Sequence, residues 1–141
     1  MPGFVRVLRN DLAEVSRMVD RFGAFARSND LSDALRQQMA VAFDEVVANI
    51  VTYGYDDDAE HHIAVRVDLD EGVLVVTVED DGIGIPADRQ NPAGLHGLKS
   101  MRHRVRSLGG QLIIGPGTNH GTRVLIAIPL AEIVEPDVAN A

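Results

Sequence analysis

A chain of 141 residues with no cysteine fits one domain able to bury a core without metal or disulfide support, and it excludes disulfide scaffolding, thiolate chemistry and cysteine-rich zinc sites. The formal net charge of −8 opposes direct binding to nucleic acid, whose phosphates would meet a like-charged surface, and it attracts basic partner surfaces. Nothing resembles a signal peptide, and no apolar run approaches the roughly 18 residues that a membrane helix needs, so a cytoplasmic protein without membrane association is expected.

In chain order, Phe4 to Leu8, with Val5 and Val7 alternating, predicts an edge strand. Asn10 or Asp11 then caps a helix, with Glu14 spaced for a capping box if Asp11 is the cap. Leu12, Val15, Val19, Phe22 and Ala26 recur at three- and four-residue intervals and give this helix a buried face, which Met18 and Phe25 widen. The breadth of that stripe leaves two uses open, ordinary core or part of a homodimer surface. A second helix starts at Leu31-Ser32-Asp33, with Leu35, Met39, Ala42, Val46 and Ile50 on its buried side. Glu45 and Asn49 are four apart there and project one above the other. They can reach a common ligand, or they are an ordinary exposed pair that steadies the helix.

Ile63, Val65, Val67 and Leu69 alternate, Asp70-Glu71-Gly72 turns, and Val73 to Val78 returns as a more continuously apolar, central strand of a hairpin. This strand runs into Glu79-Asp80-Asp81-Gly82-Ile83-Gly84-Ile85-Pro86. A carboxylate fixed at a strand end accepts hydrogen bonds from an amino group, and Gly82 and Gly84 let a flat ligand approach the backbone, which suits an adenine ring. An Asp-Gly hairpin turn is the plainer alternative. Successive strand residues point to opposite faces, so only one of Asp80 and Asp81 faces a ligand, and the following glycine favours Asp81. Gly82, Gly84 and Ala87 also spell the G-x-G-x-x-A of a dinucleotide-binding turn. That reading fails because Pro86 and Pro92 delay any helix and no acidic residue lies between Asp88 and Glu132. A phosphate loop of the Gly-Lys type fails too, since Gly97-Leu98-Lys99-Ser100 lacks the adjacent pair.

Gly94-Leu95-His96-Gly97 leads into a helix with Leu98, Met101, Val105 and Leu108 on its apolar side, closed by Gly109-Gly110. A glycine-rich loop entering a helix presents free N–H groups and a positive dipole end, a seat for phosphate to which Lys99 and Arg102 add charge. Simple loop flexibility is the alternative. The basic run Lys99, Arg102, Arg104 and Arg106 contrasts with Asp56, Asp57, Asp58 and Glu60, which read as a solvated loop. Gln111 to Ile114 and Thr122 to Ile128 are two final strands. One domain therefore spans 1–130, and a short, mobile tail is expected over 131–141. The five histidines show no metal-ligand spacing.

Taken together, Glu45-x-x-x-Asn49, then Asp81-Gly82-Ile83-Gly84, then Gly94-Leu95-His96-Gly97-Leu98, then Gly121-Thr122 resemble the four boxes of the GHKL ATPases, the superfamily of gyrase, heat-shock chaperone, histidine kinase and mismatch-repair proteins. The resemblance implies an α/β two-layer sandwich of the Bergerat type, with a mixed, mostly antiparallel sheet under helices. It implies ATP and Mg²⁺ as ligands. Asp81 would hold the adenine amino group beside Gly82 and Gly84, Thr122 would support the adenine pocket, and Asn49 would coordinate Mg²⁺. Gly97 and its neighbours Gly94, His96, Leu98 and Lys99 would touch the phosphates, and Glu45 would act as the base. Phe43-Asp44-Glu45-Val46-Val47-Ala48-Asn49 and Tyr53-Gly54-Tyr55, behind a strand and a helix, look like the anti-sigma factor serine-protein kinases. That similarity implies γ-phosphoryl transfer to a serine of an anti-anti-sigma partner and capture of a sigma factor. From Gly82 onward Gly84-Ile85-Pro86, Met101-Arg102-His103-Arg104-Val105 and Leu108-Gly109-Gly110 resemble sensor histidine kinases more. A detached histidine-kinase catalytic domain, a non-catalytic ATP-dependent binding switch and an ATPase without an acceptor are the alternatives.

Overall fold

The computed structural model describes residues 2–53, 61–80, 96–117 and 121–130, without the side chains at 49, 52, 53 and 96–100. Five strands, β1 (Gly3–Arg9), β2 (His62–Asp70), β3 (Val73–Asp80), β4 (Gln111–Pro116) and β5 (Thr122–Pro129), and three helices, α1 (Glu14–Ser28), α2 (Asp33–Tyr53) and α3 (His96–Ser107), follow the chain as β1-α1-α2-β2-β3-α3-β4-β5. The strands form one sheet in the order β1-β2-β3-β5-β4. All its neighbouring pairs are antiparallel. β4 runs in the same direction as β3, but β5 inserts between them. The parallel contact expected of a mixed sheet is therefore absent among the described strands.

Local chemistry sets the joints. Ser32 Oγ accepts the Leu35 N–H at 3.1 Å and starts α2. Glu71 and Gly72 both have positive φ, 51° and 81°, the conformation that a two-residue hairpin between right-twisted strands requires. At the end of α3, Gly109 has φ 80°. Its N–H donates to the Arg106 carbonyl while the Gly110 N–H donates to that of Val105, so a left-handed glycine closes the helix.

One hydrophobic core lies between the helices and a single face of the sheet. It gathers Met18, Phe22 and Phe25 of α1, Leu35, Met39, Phe43, Val46 and Val47 of α2, Met101 and Val105 of α3, and the inward rows of the strands. The wide α1 stripe is thus used within the chain, with Phe22 against Phe43 edge-on at 5.2 Å. β1 is an edge strand, and its outward Val5 and Val7 are 54% and 59% exposed. Among the described residues no helix is long and apolar enough to cross a membrane.

The entry into α1 differs from the expected capping box. The helix begins at Glu14, its N-cap Ala13 makes no side-chain cap bond, and Leu12 is 55% exposed ahead of it. Asp11 Oδ1 instead accepts the Ala13 N–H, and Glu14 Oε1 reaches back to the Arg9 backbone N–H at 3.2 Å and to Arg9 Nε at 3.4 Å. Tying the helix start to β1 in this way satisfies the carboxylate of Glu14, which is 7% exposed. The Arg9 N–H bond, together with the Arg9 and Arg17 guanidiniums, outweighs burial and holds the Glu14 carboxyl below its ordinary value of 4.5. Because the folded value is depressed, this stabilisation is present above the unfolded value and is lost as pH falls through the folded one. Glu14→Gln should lower the melting temperature at pH 7 by several degrees and narrow the gap between melts at pH 7 and pH 3. Equal gaps in the two proteins would show that Glu14 contributes nothing to acid sensitivity.

Candidate functional site

β3 and β5 carry matching alternation. The buried residues of β3 are Leu74, Val76, Val78 and Asp80, and those of β5 are Thr122, Val124, Ile126 and Ile128. The register pairs Val78 with Val124 and Glu79 with Arg123, so Asp80 and Thr122 come next on the helix-facing side. They are 4% and 6% exposed. A carboxylate and a hydroxyl thus end two otherwise aliphatic rows at one edge of the core, an expensive position for groups that merely sit in a turn. On the opposite face Arg123 donates from Nε and Nη2 to Glu79 Oε1, each at 3.3 Å, and fastens the two strand ends together.

Gly121 makes this closure possible. Its φ is +66°, and a Cβ there would strike the Asp80 carbonyl oxygen and come within 2.8 Å of both the Asp80 carbonyl carbon and Oδ1. Gly121→Ala should therefore cost about 2 kcal/mol of stability through overpacking and backbone strain. Denaturant unfolding checks this, and a loss below about 0.5 kcal/mol would mean that the strand ends yield.

Of the residues expected at the site, Asp81, Gly82, Gly84 and Gly94 lie outside the described residues. Asn49 is helical, one turn beyond Glu45 on α2, and its side chain is outside the description. His96, Gly97, Leu98 and Lys99 form the first turn of α3, and their side chains are likewise outside it. Thr122 is described, at the start of β5 and buried. Asp80, which the sequence reading set aside, is the described member of the acidic pair. Its signal was available in the sequence, since counting in twos from Leu74 through Val76 and Val78 ends on Asp80. An Asp-x-Gly-x-Gly spacing also begins at Asp80, as Asp80-Asp81-Gly82-Ile83-Gly84, rather than at Asp81.

Glu45 is held from α3. Arg104 Nη2 lies 3.3 Å from Glu45 Oε1, and Arg104 Nη1 donates to Gln38 Oε1 at 2.9 Å. The Glu45 and Arg104 side chains are 19% and 28% exposed, so this pair is largely shielded from water. No local pattern foretells it, because Arg104 lies 59 residues from Glu45 and reads as one more charge in a basic run.

A sheet with a buried carboxylate and hydroxyl at one end, covered by a helix bearing Glu45 and Asn49, has recognisable relatives. The sensor protein NarQ homolog of Haemophilus influenzae is 34% identical over 100 residues, which cover 70% of this chain and 17% of that protein. The anti-sigma F factor of Geobacillus stearothermophilus is 30% identical over 110 residues, 73% of this chain and 75% of that protein. Among solved structures, the histidine kinase domain of the Erythrobacter litoralis EL346 blue-light activated histidine kinase superposes with a TM-score of 0.61 at 28% identity, covering 86% of this chain and 61% of that one. The chain spans only a small part of the sensor protein it matches and most of the anti-sigma factor. The family described as the histidine kinase-like ATPase domain matches residues 8–113. With the five-stranded sheet, the helix layer and the site at the ends of β3 and β5, this makes the chain a member of the histidine kinase-like ATPase domain family, the GHKL type of ATP-binding domain.

Proposed function

We propose that the chain is a cytoplasmic, ATP-dependent serine-protein kinase and anti-sigma factor, which phosphorylates an anti-anti-sigma partner and sequesters a sigma factor. The observation that carries this reading is the match to an anti-sigma F factor over 75% of that protein's length. In the proposed site Asp80, rather than Asp81, accepts a hydrogen bond from the adenine amino group. Its burial beside Thr122 supports that assignment, with Gly82 and Gly84 leaving room for the ring. Asn49 holds Mg²⁺, which neutralises phosphate charge when bound. Gly94, His96, Gly97, Leu98 and Lys99 surround the phosphates at the positive end of α3.

Glu45 is the base. The acceptor hydroxyl oxygen forms a bond to the γ-phosphorus, its proton passes to the Glu45 carboxylate, and the bond between the γ-phosphorus and the β–γ bridging oxygen breaks to release ADP. Incubation of the chain with γ-labelled ATP and the proteins encoded beside it tests the reading. A labelled serine in one of them is the expected result, and ATP-dependent capture of a sigma factor without any label would replace the kinase with a binding switch.

A second reading is favoured by the 28% identity to the histidine kinase domain of the Erythrobacter litoralis protein. The chain would then phosphorylate a histidine on a separate protein. Acid separates the two, since phosphohistidine is hydrolysed where phosphoserine survives.

A further inference from the structure

We infer that Arg104 is the positioning residue for Glu45, fixing the carboxylate of the base from α3; this rests on the reading of Glu45 as base given above. A glutamate side chain loses considerable rotamer freedom when held in one place, and a base acts only from about 2.6–3.2 Å of the proton it takes. Glu45 is partly exposed on α2, so its helix alone does not fix it. The guanidinium of Arg104 does so through Oε1, and it is itself anchored by Gln38.

Gln38 and Glu45 are seven residues apart, two turns along α2, and the planar fork of an arginine can engage both acceptors at once. Lysine carries its three donors on one nitrogen and lacks the two separated, fixed nitrogens with which the fork spans both acceptors. Arg104 is eight residues beyond His96, about 12 Å along α3 from the helix start where phosphates are proposed to sit. Its position therefore suits work on the base rather than on the nucleotide. The neighbouring Met101 and Val105 are buried in the core, so the backbone carrying Arg104 is fixed and the tie is made to a rigid element.

Hydrolysis of ATP by the full chain with Mg²⁺, water standing in for the acceptor hydroxyl, tests the inference with Arg104→Met, Arg104→Lys, Glu45→Gln and the Glu45→Gln/Arg104→Met double variant. Calorimetry with a non-hydrolysable ATP analogue shows that each variant is folded and binds. Arg104→Met should lower kcat about 10- to 100-fold with KM and analogue affinity within about 3-fold of wild type, the effect of a misplaced base. Arg104→Lys, which keeps the charge without the fork, should recover part of the rate and stay at least about 3-fold below wild type. In the Glu45→Gln background Arg104→Met should cost less than about 2-fold more, because the group it positions is already disabled.

A clamp between α2 and α3 with no part in the reaction would instead lower affinity or stability and would act equally in both backgrounds. That result, or an unchanged kcat for Arg104→Met beside a clear Glu45→Gln defect, overturns the inference alone. No phosphate release by a wild type that binds the analogue, or a Glu45→Gln variant as fast as wild type, overturns the base and the inference together. Should Arg104→Met fail to fold, Arg104→Lys decides the matter, since a wild-type kcat with only one nitrogen in place of the fork removes the need for it.

Discussion

Glu45→Gln should reduce phosphoryl transfer by about 10²- to 10⁴-fold, the usual contribution of a positioned general base, while nucleotide affinity stays within about 3-fold of wild type. The substitution is chosen for what it leaves in place. A glutamine keeps the side-chain length and still offers a carbonyl oxygen to Arg104, so the contact between α2 and α3 at 3.3 Å can persist. Only the capacity to take a proton is removed. Glu45→Ala would add the loss of that contact and leave a largely shielded guanidinium with Gln38, mixing a stability effect with a catalytic one. Single-turnover measurement with saturating ATP separates chemistry from product release. An undiminished transfer rate would exclude Glu45 as the base and leave electrostatics and positioning to carry the reaction.

The parts of the fold legible in the sequence were those governed by local rules. The heptad-like spacing of Leu35, Met39, Ala42, Val46 and Ile50 fixes the buried side of α2, and all of these are buried in the core. The Glu71-Gly72 turn and the Gly109 stop are chemical requirements of single positions. The start of α1 departs from the expected capping box because Asp11 accepts the Ala13 N–H while β1 offers Glu14 the Arg9 N–H, a partner that no local pattern reveals. The strand order was not legible for a related reason, since whether β4 or β5 lies beside β3 is decided by long-range packing. At the site, the spacing of Glu45 and Asn49 left a shared ligand and an ordinary helix-surface pair both open, and only the resemblance to the GHKL boxes implied a joint role. What spacing could not supply was the partner of Glu45, because Arg104 reaches it only after α3 has packed on α2. The choice between Asp80 and Asp81 lay between these cases: alternation along β3 contained the answer about burial, but the glycine after Asp81 drew attention to the other residue.

Asp80→Asn should weaken ATP binding by about 10- to 100-fold, the 1.5–3 kcal/mol scale of a hydrogen bond to a charged group. Asp81→Asn should leave affinity within about 3-fold. The expectation for Asp80 follows from where its side chain is placed. Asp80 is 4% exposed beside Thr122, in a setting where an acceptor facing an amino group is worth more than it would be in water. An asparagine of the same shape presents one acceptor and two donors. Either it turns its oxygen to the purine and keeps a weaker, neutral bond, or it turns donors against donors. The same change should alter base selection. Guanine carries a carbonyl oxygen where adenine carries the amino group, so a carboxylate at Asp80 repels it, whereas an amide can donate to it. The wild type should discriminate strongly between ATP and GTP, and Asp80→Asn should narrow that ratio at least 10-fold, since sites that hydrogen-bond a defining group reject its analogue most effectively. Calorimetric titration of both nucleotides into both variants measures the two effects together. A loss of affinity in Asp81→Asn with Asp80→Asn unaffected would return the purine contact to Asp81, and Asp80 would then be a buried polar group that only closes the sheet against Gly121.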